Sequence, residues 1–534
     1  MKKLYALLAL ALASTASAFA QWNTNATPAC VYSTKDNNSD YHATTLMAAR
    51  TPDKKTWLSW KTWEGQMVNG KRCLGVHTYL QLLDIDGKPQ FDEPLLVNNH
   101  VTPSWWSTYA LCVAADGSAI VTVSDGRLEE SGITDDGLKE SYSAQGFCPA
   151  IYKVDQEGNF LWGLDGIEFT DYADSPFTNA YVVGNDTYFI FDSTSNGEND
   201  HLNIIRIDDD GTLGWDAPRS LDGVRAQIVP STDNEFLLFD DCPDGARVQR
   251  YDRDFKSVWG DPVIYDEHKY DGYELNPYKL TPDGQGGAAV AFVRTMGQFA
   301  HNVRVQHINA DGSLGFGLTG IDCANTEDND YDYCGIAVNP ETEEILVDFE
   351  SQLERTYDVM LQKFSYDGDY LLDELAISIA SKDRNTNSYA FGRVGIGAVP
   401  GTSDWIVAYR DVQAYGANTS FIIRRYDKDG NRVWTRTIGR QLDTEGVKFI
   451  VEKEASYLFY REFSTSKEPG VKVFRISHNG DYTVDYSNGI ADAMTATAKT
   501  ATRYYSLDGK QLQQPQRGLN IVRNSDGTVA KQIR

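Results

Sequence analysis

Positive charge is scarce in this sequence. Its 534 residues include 49 Lys and Arg against 76 Asp and Glu, which gives a formal net charge of −27. A surface of this sign repels nucleic acid and anionic membranes at short range. Nucleic acid is therefore excluded as a partner, and acidic polysaccharides are disfavoured unless cations mediate the contact.

The seven cysteines contain no CxxC pair, which argues against a structural zinc site. An odd number leaves at least one cysteine unpaired, and spacing does not fix the pairing. Cys323 and Cys334 are the closest two in sequence and are candidates for a disulfide that staples a loop. After residue 20, no apolar run is long enough to span a bilayer.

The first twenty residues, MKKLYALLALALASTASAFA, have two lysines, an apolar run and small residues at the end. This pattern predicts a secretory signal peptide over residues 1–20. Cleavage is expected after Ala20, with Ala18 as the alternative. An uncleaved membrane anchor is the competing interpretation, but the apolar run is short for it. The mature chain is therefore expected to be secreted or held at the outer cell surface, without a membrane span.

Variants of IIRRYDKDGNRVW, residues 422–434, occur eight times along the chain. Asp-Gly and Asn-Gly suit hairpin turns because glycine accepts a positive φ. The fourth copy has Phe255 at the central point of the turn. The other seven copies have glycine there: Gly87, Gly158, Gly211, Gly312, Gly368, Gly430 and Gly480. Four residues later comes a large apolar side chain, as a repeated core contact requires: Phe91, Trp162, Trp215, Trp259, Phe316, Leu372, Trp434 or Val484.

Each repeat contains two further strand-like segments upstream of this hairpin. Four short strands every 56 residues or so are typical of β-propeller blades. The sequence therefore predicts an all-β fold, an eight-bladed propeller of four-stranded blades over residues 41–489. A linear β-solenoid and a string of small sandwiches are the alternatives. Residues 21–40 are expected to be a separate segment, and the pattern shows no strand exchanged across the ring closure.

The hairpins resemble the "lxklDxxGnxxW" repeats of exported Bacteroidetes propellers, with Asp427, Gly430 and Trp434 matching best. This resemblance covers about 450 residues and implies a fold rather than an activity. The spacing from aspartate to tryptophan differs from the sialidase Asp-box, SxDxGxTW. A sialidase active site is therefore not predicted for this chain.

Residues 490–502 are rich in alanine and threonine and are predicted to be a linker. The tail, residues 503–534, resembles the C-terminal sorting domains of the type IX secretion system and is expected to form three short strands. The matching residues are Tyr505, Asp508, Gly509, Gly518, Ile521, Val522, Gly527 and Lys531. The resemblance implies contact with secretion and sorting machinery and export across the outer membrane. A vestigial set of terminal strands is the alternative.

Segments that join one blade to the next are unusually rich in aromatic and polar residues. In a propeller these segments gather at the mouth of the central channel, where aromatic rings can stack on sugars or anchor a protein partner. The predicted ligand-binding residues are Trp105, Trp106, Tyr172, Phe177, Tyr273, Tyr278, Tyr331, Tyr333, Arg384 and Tyr389. The competing interpretation is that these rings fill the space between inner strands of neighbouring blades.

Calcium is the one cofactor that the pattern suggests. Acidic turns such as DIDG and DKDG lack the spacing of a calcium loop, so their aspartates are expected to cap the turn backbone. The segment NTEDNDYDY is a better calcium candidate, through Glu327, Asp328, Asp330 and Asp332.

No motif selects a catalytic residue among the eight histidines or the 76 acidic residues. The sequence therefore favours a cell-surface binding module for a glycan or protein. A polysaccharide lyase or hydrolase, and a structural surface protein, are the alternatives, and fold alone does not decide between them.

Overall fold

The computed structural model describes the parts of the chain that form strands and their turns. They are residues 22–23, 25–33, 46–68, 71–97, 108–125, 148–172, 177–193, 201–242, 244–267, 278–297, 300–324, 331–352, 356–383, 391–412, 419–442, 444–462, 470–482, 503–505, 511–512, 519–523 and 529–533. At some of these positions, including 62–76 and 331–333, only the backbone is described.

The strands assemble into eight antiparallel sheets of four, the blades. A first strand, β1 (Ala29–Ser33), precedes them in the chain. Blade 1 is β2 (Met47–Arg50), β3 (Thr56–Val68), β4 (Lys71–Leu83) and β5 (Leu95–Leu96). Blade 2 is β6 (Leu111–Val113), β7 (Ala119–Asp125), β8 (Cys148–Val154) and β9 (Ile167–Glu168). Blade 3 is β10 (Thr178–Val183), β11 (Asp186–Ser193), β12 (His201–Ile207) and β13 (Arg219–Leu221). Blade 4 is β14 (Val224–Pro230), β15 (Phe236–Cys242), β16 (Gly245–Tyr251) and β17 (Val263–Asp266).

The second half of the ring repeats this order. Blade 5 is β18 (Tyr278–Pro282), β19 (Ala288–Gly297), β20 (Ala300–Ile308) and β21 (Ile321–Asp322). Blade 6 is β22 (Tyr331–Asn339), β23 (Glu344–Gln352), β24 (Thr356–Ser365) and β25 (Ile377–Asp383). Blade 7 is β26 (Phe391–Ala398), β27 (Trp405–Val412), β28 (Thr419–Tyr426) and β29 (Arg432–Leu442). Blade 8 begins with β30 (Thr444–Val451), β31 (Ala455–Glu462) and β32 (Gly470–Ser477). The predicted eight-bladed β-propeller is confirmed.

The first strands of the blades line the central channel. Each contacts the first strand of the next blade, and β30 contacts β2, so the ring is closed. The turns between first and second strands, such as residues 51–55, lie at one end of the channel, which we call the turn face. The opposite end, where the segments between blades begin and end, is the mouth face.

The fourth strand of blade 8 comes from the amino terminus. β1 pairs antiparallel with β32, with Ala29 opposite Val473 and Ser33 opposite Gly470. The prediction of no exchanged strand is therefore wrong, and residues 29–33 belong to the ring. Sequence inspection missed this strand because a five-residue edge strand that lacks a preceding turn carries little periodicity.

The conserved pattern of the repeat forms a contact between blades. The aromatic residue of one blade packs on the turn glycine of the next, and its indole N–H donates to the carbonyl two residues before that glycine. Trp162 donates to Asp209, Trp259 to Ala310 and Trp434 to His478, at 3.2, 3.1 and 2.8 Å. The matching glycines are Gly211, Gly312 and Gly480. The core contact predicted from the repeat is thus a joint between sheets.

Trp22 supplies this joint between blade 8 and blade 1. Its indole N–H donates to the Ile85 carbonyl at 2.8 Å, and its ring lies against Gly87. Trp22 is 2% exposed. Residues 22–33 therefore provide both the aromatic residue and the outer strand that complete blade 8.

A cationic side chain on the third strand reaches the same carbonyl in several blades. Arg206 donates to Arg253 O at 3.0 Å, Arg250 to Ala310 O at 2.8 Å, Lys363 to Lys428 O at 2.9 Å and Arg425 to His478 O at 2.8 Å. Arg250, Lys363 and Arg425 also pair with carboxylates near the first turn of their own blade, for example Arg425 with Asp404 at 2.7 Å. At the turn face, an indole and a cation together join blade 4 to blade 5 and blade 7 to blade 8.

Blade 4 departs from the glycine rule. Phe255 takes the left-handed conformation with φ 61°, which a bulky residue rarely adopts. Its ring stacks on Tyr251, with centroids 4.2 Å apart, and lies 5.5 Å from the ring of Trp215. Aromatic packing therefore replaces the close approach that glycine allows elsewhere.

The apolar core lies between neighbouring blades. Each hydrophobic cluster draws on two or three consecutive sheets; one of them joins Trp57 and Leu80 of blade 1 to Val121 and Tyr152 of blade 2. Because both faces of a blade are covered, the second strands are nearly continuous apolar runs, as in residues 119–123.

Residues 483–534, which include the tail, are a separate compact unit. Its strands β33 (Arg503–Tyr505), β34 (Gln511–Leu512), β35 (Leu519–Arg523) and β36 (Val529–Ile533) form one sheet in the order β34-β33-β35-β36. Four strands are present where three were expected. Among the described residues, no helix has the length and apolar character needed to cross a membrane.

Candidate functional site

Five of the ten residues predicted to bind a ligand lie outside the described residues. These are Trp105, Trp106, Tyr273, Arg384 and Tyr389, and the calcium candidates Glu327, Asp328 and Asp330 lie outside as well. Tyr331, Asp332 and Tyr333 open strand β22, where only the backbone is described. The ligand and calcium predictions at these positions stay predictions.

Tyr172, Phe177 and Tyr278 are described, and all three are partly buried against the core. The Tyr172 ring meets Phe191 edge-on at 5.2 Å. Tyr278 lies 5.7 Å from Tyr265, again edge-on. At these three positions the rings pack between blades, so any ligand would contact only their exposed edges.

The channel wall carries ionisable residues that the sequence analysis did not single out. Lys279 lies on β18, Arg393 on β26 and Lys448 on β30, so three first strands each place a cation in the wall. Counted from the mouth-face end, Lys279 is the second residue of its strand and Arg393 the third. Lys448 is exposed although it lies on an innermost strand, so its side chain borders the open channel, while the walls around it still restrict its hydration.

The pKa values of these lysines respond to the neighbouring charges. Burial by the surrounding protein lowers the pKa of Lys448, and the charge of Lys279 lowers it further. Burial also lowers the pKa of Lys279, with Arg393 adding to the effect and Cys334 opposing it. Blades 5, 6, 7 and 8 therefore share one charged section of the channel.

Arg393 crosses from blade 7 to blade 6. Its Nε lies 2.7 Å from Oδ1 of Asp348, which is fully buried on β23. The guanidinium passes over Gly335, where a Cβ would come within 1.4 Å of Nη2. Glycine is needed at position 335 because no side chain fits beneath the arginine. Burial raises the pKa of Asp348, and the charge of Arg393 opposes that rise.

Glu350 lies two residues further along β23, towards the mouth face. Its Oε1 accepts the backbone N–H of Arg393 at 2.7 Å. Burial raises its pKa to about 7, against the stabilising effects of that N–H and of the Arg393 charge, while the charge of Asp348 adds to the rise. A carboxyl group that titrates near neutral pH is suited to proton transfer.

A second buried cation lies between blades 1 and 2. Lys61 of β3 is 1% exposed, and its Nζ lies 5.0 Å from the centre of the Tyr109 ring. The Tyr109 hydroxyl donates to the Ser59 carbonyl at 2.9 Å. Burial lowers the pKa of Lys61 to about 7. This ammonium is stabilised by an aromatic face and packs between sheets rather than on a channel strand.

The turn face has a different character. Asp84 Oδ1 accepts the backbone N–H groups of Asp86 and Lys88, and Asp427 Oδ1 accepts those of Asp429 and Asn431, at 2.8 to 3.0 Å. The prediction that these aspartates cap the turn backbone is confirmed. Among the residues with described side chains, no three His, Cys, Asp or Glu come together in a way that would hold a metal ion.

No disulfide joins the cysteines with described side chains, which are Cys30, Cys112, Cys148, Cys242, Cys323 and Cys334. The predicted disulfide between Cys323 and Cys334 is therefore wrong. Both are buried in the same apolar cluster, and burial raises the pKa of Cys334 to about 11. Their nearness in sequence reflected their place at the junction of blades 5 and 6 rather than a covalent bond.

Fold and channel together define the protein as a closed eight-bladed β-propeller. No protein-family model and no curated protein matches the sequence. Among solved structures, the polysaccharide lyase Uly1 is similar over 82% of this chain and 90% of its own, at 9% identity and a TM-score of 0.41.

Two further solved structures are similar in the same way. The β-propeller domain of the Trilobed protease from Pyrococcus furiosus matches over 75% of this chain and 99% of its own, at 8% identity and a TM-score of 0.36. Prolyl oligopeptidase B from Galerina marginata matches over 78% and 54%, at 12% identity and a TM-score of 0.37. At these identities the likeness concerns the fold alone.

Proposed function

We propose that this protein is an exported binding module that takes a glycan or protein ligand at the mouth face of its channel. The observation that carries the proposal is the contrast between the two faces. At the turn face, carboxylates and cations are engaged in turn caps and blade joints. Towards the mouth, the first strands place Lys279, Arg393 and Lys448 in the channel wall, and Lys448 is exposed.

The predicted location also supports this function. A leader over residues 1–20 and a tail over residues 503–534 that resembles sorting domains would bring the propeller to the outside of the cell. Both features rest on the sequence. Cell fractionation of the full-length chain and of a chain ending at residue 502 tests them: we expect surface or medium localisation only for the former. Equal distribution of the two chains would contradict a sorting role for the tail.

The ligand prediction is tested on a glycan array with the chain that begins at residue 21. We expect binding that falls at least tenfold when Trp105 and Trp106 are both changed to alanine, because stacked aromatic rings carry much of sugar-binding energy. Trp162→Ala is the matched control, since Trp162 lies in a joint at the turn face. Equal loss in the control would mean that stability, not the mouth, explains the effect. A chelator arm tests the calcium prediction.

A polysaccharide-degrading enzyme is the second candidate, and Glu350 is the observation that favours it. Its pKa of about 7 fits a general acid or base. New reducing ends or unsaturated sugars in the array wells, abolished by Glu350→Gln, would establish catalysis. If the unmodified protein and the Glu350→Gln variant bind the glycans equally and leave them intact, the protein is a binding module and not an enzyme of this kind.

A structural surface protein has less support. Among the residues with described side chains, the exposed large apolar ones are spread over blades 1 to 7, with at most two in any blade; Leu164 and Leu318 are examples. Apolar residues scattered in this way are normal for a soluble surface and do not make one flank self-associating.

A further inference from the structure

The joint between blades 5 and 6 is built around a histidine. Five residues before the centre of the repeated turn, on the third strand, six blades carry a side chain that stays charged well above neutral pH: Lys153, Arg206, Arg250, Lys363, Arg425 and Arg475. Blade 1 has Leu82 at this position, and blade 5 has His307. Histidine is the side chain whose charge changes between about pH 5 and 8. Blade 5 therefore places a titratable group where the other blades have a permanent cation or none.

His307 makes the same two contacts as Lys363 and Arg425 make in their blades. Its Nδ1 lies 3.2 Å from the carbonyl oxygen of Tyr366, two residues before the turn glycine of blade 6. Its Nε2 lies 3.1 Å from Oδ2 of Asp283, which follows the first strand of blade 5. His307 is 2% exposed and Asp283 is 1% exposed, so the pair is shielded from water.

Both ring nitrogens of His307 face hydrogen-bond acceptors. A peptide carbonyl accepts but does not donate, so Nδ1 needs a hydrogen to bond Tyr366. The Asp283 carboxylate also accepts, and its Oδ1 takes the backbone N–H groups of Gln285 and Gly287 at 2.7 and 2.9 Å. Burial acts to raise the pKa of Asp283, but the hydrogen bonds from His307 and from these N–H groups outweigh burial and lower the pKa. The carboxyl group is therefore charged, and only the imidazolium form of His307, with two N–H donors, satisfies both acceptors.

The other groups around His307 do not take over this role. The Tyr366 ring lies 4.4 Å from the imidazole, centre to centre, and its hydroxyl donates to the Asp283 carbonyl. Burial raises the pKa of Tyr366, so this hydroxyl keeps its proton. Glu343 accepts the Tyr366 backbone N–H through its carbonyl at 3.1 Å and the Gln285 side chain through its carboxylate at 2.8 Å. In the described part of blades 5 and 6, Asp283 is the charged group in contact with His307.

The aromatic residue of blade 5 supplies no second donor. Phe316 packs on Gly368, where a Cβ would come within 3.0 Å of its ring, but a phenyl ring has no N–H. In the joint between blades 7 and 8, by contrast, an indole and a guanidinium both donate to the same carbonyl, each at 2.8 Å. The joint at His307 is therefore held without the indole hydrogen bond that supports the cation there.

We propose that the joint between blades 5 and 6 is a pH-sensitive opening point of the ring, held when His307 is protonated and loosened when it is neutral. A neutral imidazole has one N–H, so it either leaves the buried Tyr366 carbonyl without this donor or turns a lone pair towards Asp283. Either arrangement is costly in a buried site. The unfolded chain lacks both contacts, so the stabilisation is complete in mildly acidic solution and is lost as pH rises. Opening exposes the apolar cluster that contains Cys323 and Cys334.

Native-state hydrogen exchange at pH 5.5 and pH 8.5 tests the proposal. The unmodified protein is compared with His307→Lys at the same pH, which removes the pH dependence of exchange itself and the titration of Glu350. Across residues 305–316 and 363–371 we expect similar rates at pH 5.5, and exchange about tenfold faster in the unmodified protein at pH 8.5. Residues 422–434, in the joint between blades 7 and 8, should show no such change. A ratio of rates that is the same at both pH values overturns the proposal.

A matched joint allows the reverse test. Lys363 holds blade 6 to blade 7 through Lys428 O at 2.9 Å and pairs with Glu344 at 3.1 Å. The aromatic position of blade 6 is Leu372, which has no N–H. Lys363→His should therefore make this joint loosen between pH 5.5 and pH 8.5, as the joint at His307 does. If it stays equally protected at both pH values while the joint at His307 loosens, a histidine at this position is not the cause and the proposal fails.

Cys334 gives an independent readout, because it is 2% exposed and lies at the same junction. At pH 8.5 a thiol reagent should label Cys334 about tenfold faster in the unmodified protein than in His307→Lys. His307→Gln, which is neutral at every pH, should label as fast as the unmodified protein, and melting temperatures check that all three are folded. Equal labelling in the three proteins overturns the proposal. None of these measurements involves a ligand, so their outcome is separate from that of the proposed function.

Discussion

The indole ring of Trp22 covers Gly87 so closely that a Cβ at residue 87 would come within 2.6 Å of the ring. Trp22 belongs to the segment that completes blade 8, and Gly87 lies in the turn of blade 1. Their contact therefore joins the last blade to the first. Trp162 and Gly211 have the same relationship between blades 2 and 3. The closing joint is therefore built like the internal ones.

Gly87→Ala should destabilise the propeller more than Gly163→Ala does. Both glycines have positive φ, 78° and 91°, but nothing lies within 4 Å of a Cβ at Gly163. The left-handed backbone costs an alanine about 1–2 kcal/mol at either position, and the clash with Trp22 adds about 1–3 kcal/mol at Gly87. Thermal unfolding of both variants measures the difference. In a Trp22→Ala background the extra cost should shrink, and an equal cost in both backgrounds would contradict the contact.

The amino-terminal segment should act as a separable strand. A chain that begins at residue 34 loses β1 and Trp22, and we expect a lower melting temperature. A synthetic peptide of residues 21–33 should bind and restore it, because ligand that binds the folded state stabilises it. The same peptide with Trp22 changed to alanine should bind at least tenfold more weakly. A shortened chain as stable as the full one would disprove closure by β1.

Gly335→Ala should displace Arg393 and unfold the protein more readily. A Cβ at Gly335 would meet Nη2 of Arg393 at 1.4 Å and Oδ1 of Asp348 at 2.5 Å. Breaking a buried ion pair costs about 3–5 kcal/mol. Gly260→Ala is the control, with nothing within 4 Å of its Cβ. Chemical denaturation compares the two, and similar midpoints would mean that Arg393 does not occupy this space.

Glu350→Gln should change how stability depends on pH. Burial raises the pKa of Glu350 to about 7 from 4.5, so the folded protein binds the proton more tightly than the unfolded chain. Below pH 4.5 both states are protonated and the group costs nothing. As pH rises from about 4.5 to 7, the free energy of unfolding falls by up to about 3 kcal/mol, because the unfolded chain releases this proton more easily. The glutamine variant lacks this loss. Unfolding curves of both proteins at pH 5 and pH 8 should therefore diverge at the higher pH, and parallel behaviour would contradict the shift.

The thiols should all be recovered without reductant at the six positions with described side chains. Alkylation of the denatured protein, followed by peptide mass mapping, should label Cys323 and Cys334 completely, since both are free. The folded protein should react slowly at Cys334, because burial keeps its thiol protonated. Unlabelled Cys323 and Cys334 that appear only after reduction would mean that the two form a disulfide.

The sequence was sufficient for the number of blades because turn glycines and second strands recur at a fixed period. Gly158 and Trp162 carry that signal, and their spacing reflects one joint repeated around the ring. The origin of the last outer strand was not predictable in the same way. Residues 29–33 form a strand by pairing with β32, near Val471 and Val473, more than 400 residues away.

The charged channel section was equally hidden. Lys279, Arg393 and Lys448 lie more than fifty residues apart from one another and belong to three repeats, each in an ordinary strand. Only the radial arrangement of first strands brings them together. Aromatic segments were visible because their composition is local, whereas a site made of one residue per blade leaves no local pattern.

Closure of the ring also sets the order in which the protein is able to fold. The hydrogen bond from the Arg475 backbone N–H to Asn23 spans 452 residues, and closing so long a loop is entropically costly and slow. The first strand to emerge during synthesis therefore waits unpaired for the last blade. A chain that ends before residue 470 has no partner for β1, so completion of the fold reports that the whole propeller has been made.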